Sequence, residues 1–565
     1  MSTYDDRPWL ALYPPDVEGE LRQRHETMLA VWRAAVVARG EAPCLHAFDT
    51  TLTYAEVDTL TDAFAVALQV GGLQSGDRVG VYLQNDPQWP VALIGTWKAG
   101  GIAVALNPML KTRELTDHLN DSGVTVLVCL ESLYADVVQH VLPDVPVRRV
   151  ITTHPADWLD QDTPQHVRHS VGEKAQVAGA EDLRDVVGRF TGRKPEAVDC
   201  GRDTVAILTY TSGTTGPPKG AMNTHGNMSY NAQVFAEWFD LGTDEVVLGV
   251  APLFHITGIV AHMATAWYAA CPLVLFHRFD AGEALRMIER WRATFVLGAI
   301  TMYIAMMEHP DAAGHDLSSV SKCGSGGAPV SPATVERFEQ ITGIYIHNVY
   351  GLTETTSPSH LTPLGTHPPV DPRSGALSVG LPVPGCVSRI TDVETGEELP
   401  VGEIGEIVIA GPMVVPGYWG KPEESRRAIR DDGLHTGDVG FMDEQGWFYI
   451  VDRAKDQINA SGYKVWPRDV EDVLYRHPAV REAAVVGKPD PYRGETVKAY
   501  VSLVAGSAVQ PDELIEFCRQ DMAAYKYPRE IEILSELPKT QTGKLLRREL
   551  RAREVQRASE PRPAG

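Results

Sequence analysis

Thr209-Tyr-Thr-Ser-Gly-Thr-Thr-Gly-Pro-Pro-Lys-Gly220 follows directly on the apolar run 205–208. A short apolar run that ends in Gly, Ser and Thr reads as a buried strand delivering a loop to the end of a sheet. The loop has the chemistry of an anion cradle. Gly213 and Gly216 let the backbone approach a ligand closely, the hydroxyls of Thr211, Ser212, Thr214 and Thr215 can donate, and Lys219 adds a positive charge. No Gly-Lys-Ser/Thr closes the loop, so a Walker A fold is not implied.

Outward from this loop, apolar runs at 79–83, 124–129, 246–250 and 295–297 alternate with helical patterns such as Tyr54–Val70 and 285–292. Strands separated by helices predict βαβ units and mainly parallel sheets, an α/β class. The stretch 152–199 is polar and reads as a surface connection or a fold boundary rather than core. From 378 to 452 short strands between Gly- and Pro-rich turns predict a β-barrel-like part. After the charged Asp452-Arg-Ala-Lys-Asp456 a fresh α+β pattern begins. The expected domains are therefore 1–452, a joint at 453–456, and a small C-terminal domain at 457–565.

The 565 residues allow several cores, and 44% apolar with 22% charged residues is a globular composition. Fifty-one Lys and Arg against 74 Asp and Glu leave a net charge of -23, which argues against nucleic acid or an anionic membrane as partner. An anionic ligand must be held by local groups. The seven cysteines form no C-x-x-C pair, so neither a zinc site nor a disulfide framework is expected. The first ten residues lack a basic stretch followed by an apolar core, and the chain does not end in S-K-L; a cytoplasmic protein is expected. The run 246–276 has no charged residue, but Pro252, His255, Gly258, His262 and Pro272 divide it into strand, loop, helix and strand rather than a membrane span.

Further motifs stand in order along the chain: Pro252-Leu-Phe-His255, Gly324-Ser-Gly-Gly-Ala-Pro329, Tyr350-Gly-Leu-Thr-Glu354, His435-Thr-Gly-Asp438, Asp452-Arg453 and Pro538-Lys-Thr-Gln-Thr-Gly-Lys544. Gly324-Ser-Gly-Gly-Ala-Pro329 is not a dinucleotide fingerprint, because Pro329 stands where its last glycine would be. With the Ser/Thr/Gly loop these motifs make the chain, from about residue 43 to 551, resemble the adenylate-forming acyl-CoA synthetases, relatives of peptide-synthetase adenylation domains and of firefly luciferase.

The resemblance implies a reaction in which a carboxylate attacks the α-phosphorus of ATP, pyrophosphate leaves, and coenzyme A takes the acyl group from acyl-AMP. Charge gathers on phosphate oxygens, which calls for donors, lysine and Mg²⁺ rather than a nucleophilic side chain. By resemblance, Lys544 reaches the forming acyl phosphate, Thr353 donates to the α-phosphate and Glu354 holds Mg²⁺. Tyr350 and Gly351 lie at the adenine, bordered by the backbone of Gly326, Gly327 and Ala328, while Asp438 takes the ribose hydroxyls beside Arg453. His255, in a loop of the uncharged run, presents a neutral imidazole near the reacting carboxylate, whereas His262 reads as a core histidine. Lys455 is the hinge about which the small domain turns, so that Ala460-Ser-Gly-Tyr463 replaces the Lys544 loop; Gly462 and Tyr463 then border the pantetheine path, and Lys526 with Arg529 attracts coenzyme A phosphates.

The acid is less legible. Tyr463-Lys-Val-Trp-Pro-Arg-Asp-Val470 and Asp490-Pro-Tyr-Arg-Gly-Glu495 resemble bacterial medium- and long-chain fatty-acyl-CoA ligases. Glycines 324, 326 and 327 would admit a chain, a planar aryl acid, or an alicyclic or sterol-derived acid. Other readings stay open: an acyl-AMP ligase loading a carrier protein, a luciferase-like oxygenase, and a noncatalytic acyl or nucleotide binder, with a homodimer compatible with any of them.

Overall fold

The computed structural model describes residues 4–159, 171–175, 177–211, 218–328, 330–372, 375–453, 456, 458–460, 463–490, 494–540 and 545–559. Its apolar runs become the strands of two large, mostly parallel sheets. In the first, six strands from Arg78–Tyr82 to Val205–Tyr210 pair in parallel and the edge strand Gly220–Thr224 is antiparallel. In the second, of nine strands, Pro43–Ala47, Leu273–Leu275, Val247–Leu248, Phe295–Gly298, Lys322–Gly326 and Ile346–Leu352 are parallel neighbours, with antiparallel strands at both edges. Strands covered on both faces read as continuous apolar runs, and Ile102–Ala105 and Phe295–Gly298 are buried at every position. The helices Gln88–Lys98 and His225–Trp238, buried nearly all round, share one hydrophobic core with both sheets.

Local sequence explains where several elements begin. Thr53 accepts from the Glu56 N–H and Glu56 accepts from the Thr53 N–H, a capping box that starts Tyr54–Val70 at the expected residue. Around residue 246 the expectation of a five-residue strand is too long. The strand is Val247–Leu248; beyond it the Gly249 N–H still donates to the Val274 carbonyl at 2.8 Å, while the carbonyls of Gly249 and Ala251 accept from the buried Asn85 amide at 3.1 and 3.0 Å. The helix that follows opens as a π-helix, Gly258–Ala264, before Thr265–Ala269. In the polar stretch 152–199, Leu183–Phe190 is a helix with Leu183, Val186 and Val187 in the core.

Residues 378–452 carry a five-stranded antiparallel sheet, ending in Gly433–Met442 and Phe448–Arg453. Beyond it, a mixed sheet around Val480–Asp490 and Gly494–Leu503 packs with Pro467–Tyr475 and Pro511–Asp521 around a separate core. The last helix, Arg547–Ser559, is pinned to this sheet by buried Lys498, whose ammonium meets Glu532 at 2.9 Å and Glu554 at 3.0 Å. Among the described residues no helix is long and apolar enough to cross a membrane.

Candidate active site

The strands of both sheets bring motif residues to their carboxyl ends, where open α/β sheets bind ligands. Val205–Tyr210 leads into the Ser/Thr/Gly loop, and Gly220–Thr224 returns from it antiparallel. Strand thus leads back to strand, with the Thr211 N–H donating to the Lys219 carbonyl at 3.0 Å, whereas a Walker loop leads from a strand into a helix. Ser212, Gly213, Thr214, Thr215 and Gly216 lie outside the described residues, as do Lys455, Gly462 and Lys544.

Thr353 and Glu354 sit in the turn between Ile346–Leu352 and Ser357–Leu361. The turn is tight: a Cβ on Gly351 would fall 1.7 Å from the Ser357 carbonyl oxygen. Thr356 and Ser357 have φ of 52° and 88°, a region that costs non-glycine residues about 1–3 kcal/mol each. Two buried amides hold this strained backbone. Asn223 Nδ2 donates to the Thr353 carbonyl at 3.1 Å and the Thr356 hydroxyl at 3.0 Å, while its Oδ1 accepts from Thr209, the residue leading into the loop. Asn231 Nδ2 donates to the carbonyls of Thr355 and Thr356 at 2.9 and 2.8 Å.

Glu354 is held from the other side. The Tyr418 hydroxyl donates to its Oε1 at 2.6 Å, and the Lys219 ammonium stands 5.1 Å above the Tyr418 ring. Burial, and then the Glu354 charge, pushes the Tyr418 hydroxyl well above its ordinary range, so it remains a donor. No group of three or more metal-ligating side chains exists among the described residues.

Tyr350 and Asp438 meet directly, hydroxyl to Oδ2 at 2.8 Å, both buried. Asp438 pairs in strand register with Arg453, and its N–H is fixed by the Thr436 hydroxyl at 3.0 Å. Gly326 lies so close to the next strand that a Cβ would fall 2.6 Å from the Val349 carbonyl oxygen, and Gly327 has φ 79°; the backbone here is bare and can approach a flat ligand. Half-buried His255 follows the bend that Asn85 fixes through the Leu253 N–H, with its Nδ1 3.2 Å from the Thr257 hydroxyl. His262 is a core residue, its Nε2 2.8 Å from the Leu297 carbonyl, and burial lowers its pKa to about 4.

The small domain approaches the same face. Leu545 lines a cleft with Thr301, Ile304, Ala328 and Ser331, bringing the residue after Lys544 to the Gly326–Ala328 loop. Lys526 is ion-paired with Asp469 at 2.7 Å, so its charge is already engaged. Tyr463 begins the strand Tyr463–Val465. Sequence reasoning did not single out Tyr418, Asn223 or Asn231.

Comparisons with known proteins agree with this geometry. The AMP-binding enzyme family matches residues 32–419 and the AMP-binding enzyme C-terminal domain matches 469–544. A long-chain-fatty-acid–CoA ligase of Bacillus subtilis (strain 168) is 38% identical over 564 residues, covering 97% of this chain and 98% of its own. A feruloyl-CoA synthase of Amycolatopsis sp is 36% identical, covering 89% and 94%. The crystal structure of the anthranilate CoA ligase AuaEII with anthranoyl-AMP superposes with a TM-score of 0.85 at 27% identity, covering 96% of this chain and 99% of that one. With both family matches in place and relatives of this identity along nearly its whole length, the chain belongs to the AMP-binding enzymes, the adenylate-forming acyl-CoA synthetases.

Proposed function

We propose that this enzyme activates a medium- or long-chain fatty acid in two half-reactions. In the first, an acid oxygen bonds to the α-phosphorus of ATP and the α–β bridging oxygen leaves with pyrophosphate. In the second, the coenzyme A sulfur bonds to the acyl carbon, its proton is lost and AMP leaves. The observation that carries the reading is the convergence of Lys219, the Thr353–Glu354 turn and the Tyr350–Asp438 pair, each held by buried partners.

Asp438 accepts from the ribose hydroxyls with Arg453 beside it, Tyr350 and the bare backbone at 326–328 border the adenine, and Thr353 donates to the α-phosphate. Lys219 and the loop hydroxyls take the outer phosphates. Mg²⁺, when bound, would spread the triphosphate charge. Glu354 suits it, since a single carboxylate with substrate phosphates and water is the usual Mg²⁺ shell. His255 orients the acid. Lys544 reaches the forming acyl phosphate; the contact of Leu545 with the Ala328 cleft supports this. The 1–452 domain carries both half-sites, and the 457–565 domain turns about Lys455 so that Gly462 and Tyr463 border the pantetheine path. The free thiols among the described residues support a reducing compartment, the cytoplasm.

The feruloyl-CoA synthase and anthranilate CoA ligase relatives favour a second reading, an aryl acid as substrate. Pyrophosphate release measured over fatty acids of graded length and over aryl acids, with and without coenzyme A, decides between them. Turnover peaking on a C8 to C18 acid and requiring coenzyme A for thioester supports the first; a preference for aryl acids overturns it. No release with any acid would overturn both.

A further inference from the structure

One buried residue touches two opposite charges of the nucleotide site. Tyr418 donates from its hydroxyl to Glu354 Oε1 at 2.6 Å and offers its ring face to the Lys219 ammonium at 5.1 Å. Its backbone is fixed independently of that side chain. The Met222 N–H donates to the Gly417 carbonyl at 3.0 Å and the Trp419 N–H to the Gly220 carbonyl at 2.8 Å, which adds the 417–419 segment to the edge of the strand that follows Lys219. The Val415 N–H donates to the Glu354 carbonyl at 2.9 Å, tying the same segment to the turn. The Ser425 hydroxyl accepts from the Tyr418 N–H at 2.8 Å, and Gly417 is what lets it come so near: a Cβ there would fall 2.7 Å from Ser425 Oγ, at φ 154°. The segment is built to present this ring between the loop and the turn.

A lysine and a glutamate facing one site attract strongly where the surroundings are only partly aqueous. If they paired, the carboxylate would be lost to a cation and the ammonium to a phosphate. We propose that Tyr418 is a positioning residue that prevents this: its hydroxyl fixes the Glu354 carboxylate and its ring holds Lys219 by a cation–π contact, keeping both charges open to a Mg²⁺-nucleotide. The proposal rests on the reading that Glu354 serves Mg²⁺ and Lys219 a phosphate.

The test is nucleotide binding by titration calorimetry, without acid substrate, using α,β-methylene-ATP over a range of Mg²⁺ concentrations. Tyr418→Phe keeps the ring and loses the hydroxyl; Tyr418→Leu loses both. Tyr418→Phe raises the Mg²⁺ concentration needed for tight binding by about 10- to 100-fold, the usual effect of removing such a partner. Tyr418→Leu raises it further, and adding Lys219→Met to Tyr418→Leu brings it back down, because no cation is left to capture Glu354. A purely structural role would not produce that rescue. Wild-type Mg²⁺ dependence in Tyr418→Phe, or a double variant worse than Tyr418→Leu, overturns the proposal. Glu354→Gln separates the two levels: if it leaves the Mg²⁺ dependence unchanged, the underlying reading of Glu354 is wrong, whereas its loss with unaffected Tyr418 variants condemns the role of Tyr418 alone. Should Tyr418→Leu melt at a lower temperature, Tyr418→Phe, which preserves the packing, carries the decision.

Discussion

The Tyr350 hydroxyl donates to Asp438 Oδ2 at 2.8 Å across 88 residues of chain, joining the second parallel sheet to the antiparallel one. The bond orients a buried carboxylate before any ligand arrives, and on the proposed reading, in which Asp438 takes the ribose hydroxyls, that orientation in advance makes the acceptor selective.

Asp438→Ala therefore raises the KM for ATP and narrows the preference over 2'-deoxy-ATP, while Tyr350→Phe, which loosens the carboxylate without removing it, does the same more weakly. Steady-state kinetics with both nucleotides checks this. Unchanged ATP dependence in Asp438→Ala would contradict the assignment.

Asn231 donates to the carbonyls of Thr355 and Thr356 in a turn that holds two residues at positive φ. Asn231→Ala leaves buried acceptors unpaired, at a cost of about 1–3 kcal/mol. The turn can relieve that by relaxing, which displaces Thr353 and Glu354. The expected outcome is a lower melting temperature with a fall in kcat for pyrophosphate release larger than the change in KM for the acid. A variant that melts lower but keeps kcat would show that the amide supports the fold alone.

These residues mark the boundary of what the sequence makes legible. Tyr350, Thr353, Glu354 and Asp438 lie in short motifs whose order identifies them. Tyr418 acts on a partner 64 residues away and Asn231 on one 124 away, so neither has a local signature. The same holds for the fold. Tyr54–Val70 is readable to its ends because a capping box and an apolar period are both local, whereas after Val247–Leu248 the Gly249 carbonyl leaves the sheet for Asn85, 164 residues away in the chain. The helix Leu183–Phe190 has three core residues in two turns, too few to stand out from a polar stretch.

Asp472, in Pro467–Tyr475, is pushed up to about 7 by burial, with Glu471 and Asp469 adding to it and Arg468 and Arg476 opposing. In the unfolded chain the same carboxyl ionises near 3.9. Between those values the native state holds a proton that the unfolded state has released, so stability falls as pH rises from about 4 to about 7 and is level in this respect above. Asp472→Asn removes that fall. The variant and the parent should melt alike near pH 4 and diverge up to pH 8, with the variant more stable by at most roughly 4 kcal/mol. Equal melting temperatures at pH 8 would show that the fold does not raise the pKa of Asp472.

The last prediction concerns the joint between the domains. Asp452 lies in the strand Phe448–Arg453. Its buried carboxylate accepts from the Arg468 N–H at 3.0 Å and from Arg547 Nη1 at 3.1 Å. Arg547 is three residues past Lys544 and also holds Glu471 at 2.9 Å and Asp456 at 3.7 Å. One guanidinium thus ties the helix after Lys544 to both sides of residues 453–456. This arrangement, with Leu545 at the Ala328 cleft, fits the first half-reaction as proposed, and the proposed turn about Lys455 would break the Asp452–Arg547 bond. Asp452→Asn, which keeps the acceptor but removes the charge, should slow acyl-AMP formation and spare or speed transfer to coenzyme A. Lys544→Ala should cut acyl-AMP formation by about two to three orders of magnitude and spare transfer from supplied acyl-AMP. Lys455→Pro, which restricts a backbone angle that rotation must change, and Gly462→Leu should do the reverse of both. Single-turnover measurements of each half-reaction decide. If Asp452→Asn and Lys455→Pro shift the two half-reactions in the same direction, the Asp452–Arg547 bond does not select between poses.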